Sequence, residues 1–143
     1  MSDTNPLCHW TEHDSALLRL RLNRPKANIV DAAMIAALHA AFDAAKQQPR
    51  LRGVLLDAEG PNFSFGASVE EHVAEHCASM LASLHALIVV MLEFPAPILV
   101  SVRGQCLGGG LELALAGGPI FAAHDAKFGQ PEIKLGLFAP AAS

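Results

Sequence analysis

The stretch Arg103-Gly104-Gln105-Cys106-Leu107-Gly108-Gly109-Gly110-Leu111-Glu112-Leu113-Ala114 constrains this chain more than any other. It leads an apolar, β-branched segment through three consecutive glycines into a helix that carries a single acid. Bare glycine backbone lets another molecule approach the main chain closely, and the first-turn N–H groups of the following helix have no intrahelical acceptor. The helix dipole favours negative charge at that end. Glu112, one turn in, stands beside whatever group the backbone holds, so the segment combines anion stabilisation with an acid or base.

The surrounding pattern alternates strands with helices. Leu18, Leu20 and Leu22 interleave with Arg19 and Arg21, the period of two expected of a strand with one buried face, and Pro25 ends it. Asp31 is a fitting N-cap for a helix whose stripe is Met34, Ile35, Leu38, Ala41, Phe42 and Ala45, stopped by Pro49. Gly53–Ala58 reads as a short buried strand. A turn at Glu59-Gly60-Pro61-Asn62 opens a loop that runs to Gly66. Ser68 and Glu71 have capping-box spacing before a long helix with Val73, Cys77, Leu81, Leu84, Ile88 and Met91 on one stripe, closed by Pro95. Pro97–Arg103 follows as a strand, then the glycine run, a helix over Gly109–Ala116, a strand over Ile120–Ala123 and a short one at Lys127-Phe128. Such alternation predicts crossover units, an α/β fold with largely parallel pairing, in one domain spanning residues 1–143.

Composition narrows the classes of function. A chain of 143 residues, 52% hydrophobic and 17% charged, has enough apolar side chains for a real core. Its formal net charge of -4 offers no general basic footprint, which argues against a nucleic-acid partner. Cys8, Cys77 and Cys106 are odd in number and widely spaced, as fits a reducing, cytoplasmic setting. The N-terminus lacks the basic start and apolar run of a secretory signal. The longest apolar stretch, Leu81–Leu92, contains His85 and falls well short of the roughly 20 residues that span a bilayer. No membrane association is expected.

Four segments, in order, resemble the enoyl-CoA hydratase (crotonase) superfamily: NRPKANIVD at Asn23–Asp31, GPNFSFGAS at Gly60–Ser68, GQCLGGGLELALAG at Gly104–Gly117, and AKFGQPEIKLG at Ala126–Gly136. The resemblance runs from about Leu17 to the last residue. It implies a crotonase-like ββα-spiral, of which this chain would be an N-terminal portion ending before the C-terminal helical region. The wording FSFGAS, GQCLGGGLE and FGQPEIKLGLFAPAAS is most similar to the branch acting on cyclohexa-1,5-diene-1-carbonyl-CoA, the ring-reduced product of benzoyl-CoA in aromatic catabolism.

The resemblance also implies roles. Addition of water to an α,β-unsaturated thioester puts negative charge on the thioester oxygen. By family comparison, the donors to that oxygen are the N–H groups of Ala67 and Gly109, and the carboxyls that hold and activate water are Glu112 and Glu132. One carboxylate would accept a proton from water while the other, kept protonated by burial, donates. Residue chemistry leaves simpler readings open: close helix–strand packing for the glycines, a buried structural acid for Glu112, a solvated loop acid for Glu132. Lys26 and Ala27 fall where the family's backbone meets the adenine of CoA, and Ala67, Ser68, Val69 and Glu70 where it lines the pantetheine path. CoA arrives as part of the substrate, so the resemblance implies no separate cofactor. It implies a homo-oligomer, trimeric or a dimer of trimers in full-length relatives.

Two departures from the family pattern bear on specificity. Ser68 replaces the usual Asp after Gly-Ala, preserving a capping group but removing a charge. Pro140, in Phe138-Ala139-Pro140-Ala141-Ala142, replaces a turn residue whose N–H helps to hold water, and proline has none to offer. The first makes activities that need that acid less expected, and the second favours an unusual acceptor, a cyclic dienoyl thioester, over a linear enoyl chain. The rivals within this fold are an isomerase or a linear enoyl-CoA hydratase, and outside catalysis an acyl-CoA-binding remnant. No metal site is expected, since His72 and His76 do not form the HExxH pattern. Cys106, with no base in view, reads as an inert buried thiol.

Overall fold

The computed structural model describes residues 5–67 and 74–136. Two strands open the chain, β1 (Leu7–Glu12) and β2 (Leu17–Leu22), paired antiparallel with Leu7 opposite Leu22 and Trp10 opposite Arg19. Helix α1 (Ala32–Ala45) crosses to β3 (Gly53–Ala58), and helix α2 (Ala74–Leu92) crosses to β4 (Ile98–Val102). These strands and β6 (Ile120–Ala122) form a sheet in the order β1-β2-β3-β4-β6, parallel from β2 onward. Between β4 and β6 the chain leaves the sheet to make β5 (Gln105–Leu107) and helix α3 (Gly109–Ala116). Strand β7 (Lys127–Gly129) returns to pair parallel with β5 in a separate two-stranded sheet, and a 3₁₀ turn follows at Pro131–Leu135.

The alternation in β2 decides the faces. Leu18, Leu20 and Leu22 are buried with Val54, Leu56, Ile98, Val100 and Val102 under the two long helices. Helix α1 starts where its cap dictates: the Asp31 carboxylate accepts a hydrogen bond from Met34 N–H at 2.8 Å and also pairs with Arg24. It buries Met34, Ile35, Leu38, Phe42 and Ala45, the stripe expected from their spacing. In α2 the buried set is Met80, Leu84, Leu87, Ile88 and Met91, while Cys77 and Leu81 lie at its margin. Phe94, just beyond α2, meets the Phe42 ring edge-on with centroids 5.3 Å apart, closing the core between the helices.

On the opposite face of the sheet, Arg19 and Arg21 converge on Asp57. Arg21 donates two hydrogen bonds to its carboxylate, at 2.8 and 2.7 Å, and Arg19 donates one at 2.9 Å. Both guanidinium groups also lie over the Trp10 ring, each 5.1 Å from its centroid. Burial pushes the Asp57 carboxyl up, but the hydrogen bonds and charges of Arg21 and Arg19 outweigh it and hold the group below its ordinary value. The polar members of the alternating strand thus tie β2 to β3.

Strand β1 and strand β5 were not expected from the sequence. His9 and Thr11 occupy alternate positions with Leu7, so β1 lacks a clean apolar period, and its order comes from the ladder to β2. Strand β5 is three residues long and exists because β7 pairs with it. The expected capping box at Ser68 and Glu71, the stripe position Val73, and Phe138–Ala142 lie outside the described residues.

Candidate active site

The turn from β4 into β5 builds the site. Only Arg103 and Gly104 separate these strands, and Gly104 has a φ of +58°. A β-carbon there would run into the Pro61 carbonyl oxygen, so only glycine turns the chain this tightly. The loop Gly60–Ala67 is stitched alongside: Phe63 N–H donates to Arg103 O at 2.9 Å, Ser64 N–H to Gln105 O at 3.0 Å, and Leu107 N–H to Ser64 O at 3.0 Å. The loop carrying Ala67 therefore runs beside the strand that delivers Gly109.

Gly108 ends that strand and serves as the N-cap of α3, with φ +52° and no side-chain cap. The first residue of the helix is Gly109. A methyl group built on it would lie 3.4 Å from the Ala67 nitrogen and 3.6 Å from the Ala67 β-carbon, so the two backbone segments adjoin with room for about one methyl group between them. From the other side, a β-carbon on Gly66 would lie 3.3 Å from the Gly109 nitrogen. Among the described residues neither the Ala67 nor the Gly109 N–H donates a hydrogen bond. The structure thus brings together the two amides that the sequence singled out, at adjoining positions, one of them at a helix N-terminus.

Gly108 adjoins the Glu132 carboxylate and the backbone of Glu112. The Glu112 N–H donates to Gly108 O at 3.0 Å in the first turn of α3, and its side chain is buried with 1% of the residue exposed. Glu132 lies in the first turn of the 3₁₀ segment, behind Pro131. Its carboxylate fills the space where a Gly108 side chain would begin, which explains why Gly108 carries none. Gly108 N–H donates to Gly129 O at 3.0 Å, so the β5–β7 pairing holds the Glu132 segment against the glycine run. Glu132 Oε2 is buried, with no hydrogen-bond partner among the described residues. That placement does not fit a solvated loop acid.

Lys26 and Ala27 border the same loop. Ala27 O accepts from Phe65 N–H at 2.9 Å and Lys26 O from Asn62 Nδ2 at 3.3 Å, while the Lys26 side chain is exposed. Ser68, Val69 and Glu70, expected along the pantetheine path, lie outside the described residues, as does His72; nothing is described of the His76 side chain. Burial pushes the Cys106 thiol up to about 12, so it stays protonated and unreactive at neutral pH. Among the described residues no three His, Cys, Asp or Glu side chains are grouped closely enough to hold a metal ion. A cleft of about 530 Å³ between β1 and α1, lined by Leu7, His9, Thr11, Ala37 and Ala41 among others, contains no carboxylate and lies apart from the glutamates.

The enoyl-CoA hydratase/isomerase family model matches residues 12–143. The chain belongs to that family. It is 68% identical over 140 residues to the cyclohexa-1,5-dienecarbonyl-CoA hydratase of Thauera aromatica, covering 98% of this chain and 54% of that protein. A probable enoyl-CoA hydratase of Bacillus subtilis is 34% identical over 128 residues, 87% of this chain and 50% of its relative. The crystal structure of an enoyl-CoA hydratase/isomerase from Xanthobacter autotrophicus superposes with a TM-score of 0.86 at 30% identity, over 94% of this chain and 52% of the other. The chain spans about half the length of the curated relatives it matches. The crotonase-like fold read from the sequence is the fold observed.

Two residues of the site escaped sequence reasoning. Asn28, fully buried at φ +45°, accepts from Arg24 N–H and donates to the carbonyls of Glu59 and Asn62. Ser64, also fully buried, donates from its hydroxyl to Asn28 O. Neither stands at a periodic position, and a polar residue in a loop carries no sequence mark of burial. Only the neighbouring Phe63 and Gly66 hinted that this loop is packed.

Proposed function

We propose that the protein hydrates an unsaturated acyl-CoA thioester, cyclohexa-1,5-diene-1-carbonyl-CoA, reversibly to a 6-hydroxycyclohexene thioester. Water adds in the conjugate sense: its oxygen bonds C2, the electron pair moves onto the thioester oxygen as a dienolate, and a proton returns to C5, leaving the remaining double bond between C1 and C6; no electron acceptor is needed. The Ala67 and Gly109 N–H groups bind the thioester oxygen and stabilise the charge that develops on it. Losing one such donor typically costs about 10²–10³ in rate. Glu112 and Glu132 hold the water and move the proton, one as base and one as acid. Lys26 and Ala27 bind the adenine end of CoA, and Ala67, Ser68, Val69 and Glu70 the pantetheine. The observation that carries this reading is the juxtaposition of the Ala67 and Gly109 backbones, about a methyl group apart, with Glu132 seated on the adjoining Gly108. The choice of ring substrate is supported by the 68% identity to a relative bearing that name. The enzyme works in the cytoplasm as a homo-oligomer, a setting supported by three free cysteines and by large apolar side chains at the surface. No helix among the described residues is long and apolar enough to cross a membrane.

Incubating the purified protein with the cyclic dienoyl-CoA and, separately, with crotonyl-CoA tests the assignment. Hydration of the ring substrate, lost by at least 100-fold in Glu112→Gln and Glu132→Gln, is the expected result. Turnover of crotonyl-CoA alone overturns the substrate, and calorimetric binding of CoA without any turnover overturns the catalytic reading.

A further inference from the structure

Ser64 makes four hydrogen bonds that reach both halves of the backbone cradle. Its N–H and carbonyl join it to Gln105 and Leu107, the strand that leads into Gly109. Its hydroxyl donates to Asn28 O at 2.8 Å and accepts from Gly66 N–H at 3.0 Å, on the residue that precedes Ala67. Gly66 O in turn accepts from Val30 N–H at 2.8 Å. The Asn28 side chain, donating to Glu59 O and Asn62 O, fixes the carbonyl on which Ser64 rests. Ser64 is also held sideways, because a β-carbon on Gly110, the second residue of α3, would lie 2.6 Å from its own β-carbon. The buried hydroxyl uses its one donor and one of its two lone pairs, and this pair of bonds fixes its orientation.

We propose that Ser64 is a positioning residue for the reaction: by accepting from Gly66 N–H its hydroxyl fixes the Phe65–Gly66 peptide, the one immediately before the Ala67 amide, so that the Ala67 and Gly109 N–H groups converge on one oxygen. It touches no reacting atom. This rests on the Proposed function reading for its consequence in rate, but its geometric content is independent of turnover. Removing the hydroxyl frees Gly66 N–H and loosens the peptide that sets the direction of the Ala67 amide, while the Ser64 main-chain bonds to Gln105 and Leu107 and the Val30 N–H bond to Gly66 O remain. Transition-state binding depends on that alignment and ground-state CoA binding does not, so the loss falls on kcat rather than KM.

The test compares the full chain with Ser64→Ala by residue-resolved amide hydrogen exchange and by steady-state kinetics on the cyclic dienoyl-CoA. Gly66 exchange is expected to rise at least 10-fold while the β3 amides Leu55 and Leu56 stay within 2-fold; kcat is expected to fall at least 10-fold with KM within 2-fold. A uniform rise across β3 and Gly66, or unchanged exchange at Gly66, overturns the proposal, as does a fall in kcat/KM carried by KM. Should Ser64→Ala fail to fold, Ser64→Cys, which keeps a weak donor and acceptor, is expected to give a smaller change of the same pattern; wild-type exchange and kinetics in that variant overturn it. If the unmodified chain hydrates no thioester, the functional reading fails, and Gly66 exchange alone still decides whether Ser64 positions the amide.

Discussion

The Gly109 position separates folding from chemistry at the scale of one methyl group. A β-carbon there would make only ordinary contacts, 3.4 Å from Ala67 N and 3.6 Å from Ala67 Cβ, and alanine favours a helix by up to about 1 kcal/mol over glycine. Gly109→Ala is therefore expected to unfold within a few degrees of the parent while its hydratase rate drops at least 100-fold, because the methyl occupies the space before the Ala67 N–H. Gly108→Ala should behave in the opposite order. It would demand a positive φ of an alanine and drive the Glu132 carboxylate from its seat, so thermal unfolding falls first and activity with it. Differential scanning fluorimetry beside a thioester assay distinguishes the two. At this scale much of the site was legible: the triplet of glycines and the acid one turn later already implied an anion cradle with a proton-transfer group. What the residues did not say is why each glycine is needed. Gly104 turns a corner, Gly108 admits a carboxylate, and Gly110 admits Ser64, and these reasons belong to partners distant in sequence.

Element by element, the strongest sequence signals became the best-defined structure. The Asp31 cap starts α1, and Asp31→Ala removes the acceptor of Met34 N–H together with the partner of Arg24. A cap of this kind is worth about 1 kcal/mol, which for a domain of this size lowers Tm by about 4 °C. The β2–β3 pair carries an electrostatic signature as well. Asp57 is held below its ordinary value in the folded chain, so its contribution is present above the unfolded value of about 4 and is lost as pH falls through the lower, folded value. Asp57→Asn should lower Tm at pH 7 and flatten the acid limb of the stability curve below pH 4. A Tm-against-pH series in which the variant and parent lose stability in parallel below pH 4 would refute this. Elements lacking their own period escaped the sequence. Strand β1, whose Leu7 face continues with the polar His9 and Thr11, and β5, three residues long, are strands only because β2 and β7 pair with them.

For the whole molecule, the exposed apolar side chains are the surface that the proposed self-association would cover. Leu92, Leu115, Phe121, Phe128 and Ile133 are between 46% and 76% exposed, and Phe121 lies on β6, at one end of the main sheet. Large exposed apolar area of this sort is normally covered by another chain or segment. Sedimentation velocity on the purified protein should give a mass above the 15.1 kDa of one chain, rising with concentration. A strictly monomeric boundary at 100 μM would contradict the homo-oligomer reading.

By itself the sequence determined the alternating α/β pattern, the start of α1, the extent of α3 and the buried side of β2, because period, caps and glycine runs act over a few neighbouring residues; the four residues proposed to do the chemistry came through the family resemblance. Only the tertiary structure decided that Ala67 lies against Gly109, that Glu132 occupies the space above Gly108, and that Asn28 and Ser64 hold the loop between them. Those contacts join segments tens of residues apart, through backbone hydrogen bonds that any sequence can form and through the Asn28, Ser64 and Glu132 side chains, whose partners are set by the fold and not by near neighbours in the sequence.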